Sequence, residues 1–124
     1  MTNKEFAKQL EKRTRQFAVR IIKLSARLPN SPEGRVIKNQ LTEAGTSVGA
    51  NYREANRPEL AKDQSKADFK NKMQICEGEC SETQFWLEVV IDAEMLPFKE
   101  VKPDYDECSQ LLAIFTSALD SLDG

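Results

Sequence analysis

The chain has 124 residues, 40% of them hydrophobic and 31% charged, with a formal net charge of −2 at pH 7. That is one domain's worth of sequence, with apolar residues enough for a single core and no compositional bias towards disorder. It contains no histidine, which excludes Ser-His and Cys-His nucleophilic pairs and the Glu-x-x-His di-iron sites of helical bundles.

Three cysteines are an odd number for a disulfide framework and favour a reducing compartment. No apolar run approaches the roughly 18 residues of a membrane span. The first residues, MTNKEFAKQLEKRTR, lack the apolar stretch of a signal peptide. A cytoplasmic location with no membrane partner is therefore the expectation. Charge is distributed unevenly. Residues 1–28 carry eight Lys/Arg against two Glu, while residues 60–96 carry four basic against eight acidic, and residues 97–124 two against six. Such polarity suits either an acidic partner or complementary faces within one assembly.

The first predicted helix covers residues 3–28, where Phe6, Leu10, Phe17, Ile21, Leu24 and Leu28 recur at three- and four-residue spacing. Lys4, Lys8, Lys12, Arg15, Lys23 and Arg27 lie on the opposite side and are the candidate nucleic-acid contacts. A narrow apolar stripe, Val19, Ile22 and Ala26, interrupts that basic side. It reads either as a widened core face or as a subunit contact.

In LPNSPEG, Ser31 is a natural N-cap, Pro32 suits the first helical position and Glu33 complements the helix dipole. The second helix, 32–56, turns Ile37, Leu41, Ala44, Val48, Tyr52 and Ala55 inward, and Pro58 marks its end. Within it, AGTSVGANYREANR has the glycines of a phosphate loop at the wrong spacing, with no lysine and no strand before it. Glycine costs about 1 kcal/mol in a helix interior, so Gly45 and Gly49 point instead to close approach of a neighbouring backbone.

The third helix, 61–95, carries two seams: Phe69, Met73, Cys76, Cys80, Thr83, Leu87 and Val90, then Ile75, Glu79, Glu82, Trp86, Val89 and Ala93. Two adjacent seams imply two neighbours. The stretch LPFKEVKPDYD breaks the pattern, and a fourth helix, 104–122, places Tyr105, Cys108, Leu111, Leu112, Phe115, Leu119 and Leu122 inward. The fold expected is all-α: one up-down-up-down four-helix bundle domain over residues 1–124.

Cys76 and Cys80 sit four apart, but two thiolates without histidine do not complete a zinc site, and they read as small buried hydrophobes. No metal or cofactor is expected. Asn51, Arg53, Glu54, Arg57, Glu79 and Glu82 are expected to form a polar network between helices two and three, because a half-buried carboxylate needs a partner. A catalytic carboxylate pair at Glu79 and Glu82 is the rival, and nothing else in the chain completes an active site.

SVGANYREA (47–55), SKADFKNKMQI (65–75) and GECSETQFWL (78–87) resemble the bacterial four helix bundle protein family. That family is also called the intervening-sequence protein of the large-subunit ribosomal RNA gene and was formerly labelled ribosomal. The likeness covers about residues 5–122. Gly78 stands where a lysine is usual and Cys80 where alanine or serine is commoner. The resemblance implies an up-down bundle assembled into a homo-oligomeric ring, a homopentamer, with no established catalysis. A related accessory protein of diversity-generating retroelements looks like a strongly basic version that binds nucleic acid and reverse transcriptase. This chain, with a pI of about 5.3, departs from that pattern.

The expectation is a non-enzymatic scaffold that contacts copies of itself through Val19, Ile22, Ala26 and Trp86. The alternative is a nucleic-acid-binding accessory protein using the basic face of the first helix. The partner would then be RNA, DNA or a nucleic-acid enzyme.

Overall fold

The computed structural model describes residues 1–57 and 66–123, which form four α-helices: α1 Asn3–Ser25, α2 Pro32–Ala55, α3 Lys66–Asp92 and α4 Phe98–Asp123. Each packs on the helices before and after it in the chain, and α1 meets α4 more sparsely to close the ring of four. Antiparallel pairing shows in the contacts. Arg53 reaches back to Glu11 between α2 and α1, and Gln84 meets Ser109 between α3 and α4.

Helix α1 starts in a capping box: Thr2 Oγ1 accepts from the Glu5 amide, and the Glu5 carboxylate accepts from the Thr2 amide. It ends at Ser25, three residues before the sequence-based limit of 28. Pro29 disfavours helical backbone at Leu28, so the last turn tightens, with the Arg27 amide on Leu24 O and the Leu28 amide on Ser25 O. Leu28 remains buried. Ser31 caps α2 by accepting from the Gly34 amide, with Pro32 in the first turn; α2 ends at Ala55, one residue short of expectation.

The expected start of the third helix at 61 lies outside the described residues, as does residue 124. Its far end is Asp92 rather than 95, because the chain turns there through left-handed Glu94 (φ 53°). The Glu94 amide bonds Ile91 O and the Met95 amide bonds Val90 O, a Schellman close.

Helix α4 corrects the largest boundary error, starting at Phe98 and not at 104. Pro103 lies inside it. Proline removes one helical hydrogen bond, but Pro103 and Lys99 both face solvent, where water reaches the freed carbonyl. Buried Val101 anchors the first turn.

The core is a stack of heptad positions: Leu10, Phe17, Ile21 and Leu24 of α1; Leu41, Val48 and Tyr52 of α2; Met73, Cys76, Cys80, Leu87 and Val90 of α3; Cys108, Leu111 and Phe115 of α4. Tyr52 and Phe115 meet edge to face across the centre, centroids 5.6 Å apart. Phe6, expected in this core, is 45% exposed. Thr14 fills the stripe two turns further in, its hydroxyl bonded to Glu11 O. The second seam of α3 is also not covered: Ile75, Glu82 and Ala93 are exposed, and Glu79, Trp86 and Val89 half-buried. Among the described residues α3 buries one of its two seams and leaves the other partly open.

Candidate functional site

The α1–α4 seam is closed by charge. Arg13 Nε and Nη2 donate to the two carboxylate oxygens of Glu107 at 2.7 and 2.6 Å. Arg20 Nε donates to Asp104 at 2.6 Å and its Nη2 to Pro103 O at 2.8 Å. Arg27 pairs with Glu100 at 2.7 Å. The hydrogen bond to Glu107 raises Arg13 above its ordinary value, burial working weakly the other way. The sequence reading missed Arg13 and Arg20. The seven-residue repeat of Arg13, Arg20 and Arg27 beside the core stripe was the signal for them, since that spacing puts all three on one line of a helix.

This seam alters the basic set. Arg27 is engaged with Glu100. Lys4, Lys8, Lys12, Arg15 and Lys23 are exposed, and among the described residues no ion pair reaches them. On the same outer surface of α1, Val19 is 46% and Ile22 49% exposed, with Ala26 exposed as the C-cap residue. Trp86 lies apart from them on α3, half-buried against the core.

Gly45 and Gly49 lie at the α1–α2 contact. A Cβ on Gly45 would fall 2.7–2.9 Å from Ile21 side-chain atoms, and one on Gly49 3.1–3.2 Å from Thr14. Beside this approach runs an open groove of about 300 Å³ lined by Glu11, Arg15, Ala18, Thr46, Gly49, Ala50 and Arg53.

The six polar residues expected to join α2 to α3 are bonded differently. Arg53 pairs with Glu11 of α1 at 2.8 Å, Arg57 with Glu54 at 3.0 Å, and Asn51 Nδ2 donates to Ser47 O in its own helix. Glu82 accepts from Trp86 Nε1 at a long 3.4 Å. Glu79 finds no basic partner among the described residues. Burial first, then the charges of Glu82 and Glu43, push its carboxyl above the usual range. A helix places these residues by its own geometry; the length of Arg53 lets it reach the nearer carboxylate, Glu11.

Cys76, Cys80 and Cys108 are buried and free, and Cys108 Sγ donates to Cys80 O at 3.3 Å. Burial pushes the thiols of Cys76 and Cys108 up to about 12 and raises Cys80 too. Such thiols are inert at neutral pH. Among the described residues no group of three His, Cys, Asp or Glu side chains is placed to hold a metal, and no helix is long and apolar enough to cross a membrane.

The molecule is thus an all-α up-down four-helix bundle whose distinctive chemistry lies on its outer faces. A family model described as 23S rRNA-intervening sequence protein matches residues 7–117, and the chain belongs to that family. A solved structure from Bacteroides thetaiotaomicron, described as a protein of unknown function from the S23 ribosomal protein family, is 33% identical. It aligns over 88% of this chain and 96% of its own, with a TM-score of 0.77. No curated protein matches.

Proposed function

We propose that this chain is a non-enzymatic scaffold, a cytoplasmic helical bundle that acts by assembling with copies of itself. The supporting observation is the outer face of α1, where Val19, Ile22 and Ala26 face water in the single chain. Covering such aliphatic surface yields about 25 cal/mol per Å². Closing a ring requires a heterologous contact, one face of a copy meeting a different face of the next; a homopentamer is the form that the family resemblance implies. Sedimentation over a concentration series tests this. Concentration-dependent assembly that Ile22→Glu abolishes is expected. A wild-type chain that stays monomeric throughout removes the scaffold reading.

A second reading is nucleic-acid binding, supported by the exposed row Lys4, Lys8, Lys12, Arg15 and Lys23, which no ion pair reaches among the described residues. Phosphate contacts of that kind make binding steeply salt-dependent. A low-salt gel shift with RNA and DNA, comparing wild type with Lys8, Lys12 and Arg15 reversed to Glu, separates the two. A shift lost on reversal supports this reading; no shift at micromolar protein ends it.

A further inference from the structure

Two surfaces of this bundle lack a counterpart among the described residues, and they match each other. The first is the α1–α2 groove, floored by Ala18, Gly49 and Ala50 and flanked by Arg15 and Arg53, with Glu11 also on its rim and paired to Arg53. It continues along α1 to Ile22, one turn beyond Ala18 and 49% exposed. The second is the open seam of α3. Phe85, next to that seam on the outer side of α3, is 53% exposed and packs edge-on against the seam's Trp86, centroids 4.9 Å apart. Glu79 and Glu82 lie on the same side, crowded by Glu43 of α2, and no ion pair reaches any of the three among the described residues.

We propose that Phe85 and Trp86 of one copy seat in the α1–α2 groove of the next, with Glu79 and Glu82 facing Arg15 and Arg53. This rests on the scaffold reading and names its interface. An aromatic pair supplies large apolar area at low entropic cost. The groove offers small residues to lie on and guanidinium groups, which stack on aromatic rings and pair with carboxylates. Arg53 already shares Glu11, whereas Arg15 brings an uncommitted charge. The groove and the seam lie at different edges of the bundle, so every copy presents both, and each contact joins one surface to the other.

Charge exchange tests the pairing. Arg15→Glu sets a carboxylate against Glu79 and Glu82, and is expected to weaken self-association about tenfold or more. The double variant Arg15→Glu/Glu82→Arg is expected to recover it. Both positions, Arg15 and Glu82, are exposed, and a far-ultraviolet dichroism melt checks that each variant is folded. A cross-link gives direct placement: copies carrying Ala50→Cys mixed with copies carrying Phe85→Cys should form a disulfide-linked pair on oxidation, and neither variant should do so alone. Assembly unchanged by Arg15→Glu, or a double variant no better than the single one, overturns this interface while leaving the scaffold reading standing. Wild type that never assembles removes both.

Discussion

Arg13 of α1 grips Glu107 of α4 with two parallel hydrogen bonds of 2.7 and 2.6 Å, although the two residues stand 94 apart in the chain. The bidentate geometry is the strongest form of this contact. Arg13 is 35% exposed and Glu107 14%, so solvent screening reduces its worth to about 1 kcal/mol. A double-mutant cycle with Arg13→Ala and Glu107→Ala, read by urea unfolding, is expected to return a coupling of that size, smaller in high salt. Zero coupling would mean that the pair adds nothing to closure of the seam.

The glycines are expected to divide by what surrounds them. Nothing lies within 4 Å of a Cβ on Gly78, whereas one on Gly34 would sit 1.9 Å from Pro29 O. Gly78→Ala should therefore stabilise by about 1 kcal/mol. Gly34→Ala should cost about 3 kcal/mol or more, since backbone has to move. Thermal melts of the two variants moving in the same direction would contradict this division.

Gly45 and Ile21 form one packing unit. Gly45→Ala gains helix propensity of about 1 kcal/mol but overpacks Ile21 by about 1–3 kcal/mol, so a net loss is expected. Trimming the obstacle with Ile21→Val should make the double variant less unstable than the two separate losses added together. Strict additivity in denaturant melts would show that the helices simply move apart.

Glu94 closes α3 in the left-handed region, a conformation that costs a residue with a Cβ about 1 kcal/mol or more. Glu94→Gly should raise stability by roughly that amount. A lower unfolding temperature would place some unrecognised contact on the Glu94 side chain.

The buried thiols make stability fall in alkali. Their folded-state values lie above the ordinary 9.0, Cys76 and Cys108 at about 12, so the unfolded chain releases these protons first. The stability that the neutral thiols contribute is whole below 9.0 and is lost as pH rises towards about 12. Urea midpoints should hold near neutrality and drop above pH 9 or so. A thiol reagent should label the unfolded chain at all three cysteines and the native one only slowly. Rapid native labelling would show that one of them is reachable from solvent.

Much of the bundle was legible in residue spacing. Leu41, Val48 and Tyr52, or Met73, Cys76, Cys80, Thr83, Leu87 and Val90, announce a buried face because helical geometry puts them on one line. Helix ends were harder. Proline at 29 stopped α1 early through the residue before it, while Pro103 was absorbed into α4 where its freed carbonyl partner faces water. The two seams of α3 were equally visible in the sequence, but periodicity does not say whether a neighbour covers them; among the described residues only one is covered.

By itself, then, the sequence determined helix number, most of the inward positions though not Phe6 or the second seam of α3, and the close approach signalled by Gly45 and Gly49, since each follows from local periodicity and from the missing Cβ. Tertiary structure alone decided which charges meet. The basic excess of the first helix and the acidic excess of the last are spent partly on each other, through Arg13–Glu107, Arg20–Asp104 and Arg27–Glu100. Pairs so distant along the chain are chosen by the order in which the four helices pack and by the rotation of each about its axis. The same packing leaves Val19, Ile22 and Phe85 facing outward and Trp86 only half covered.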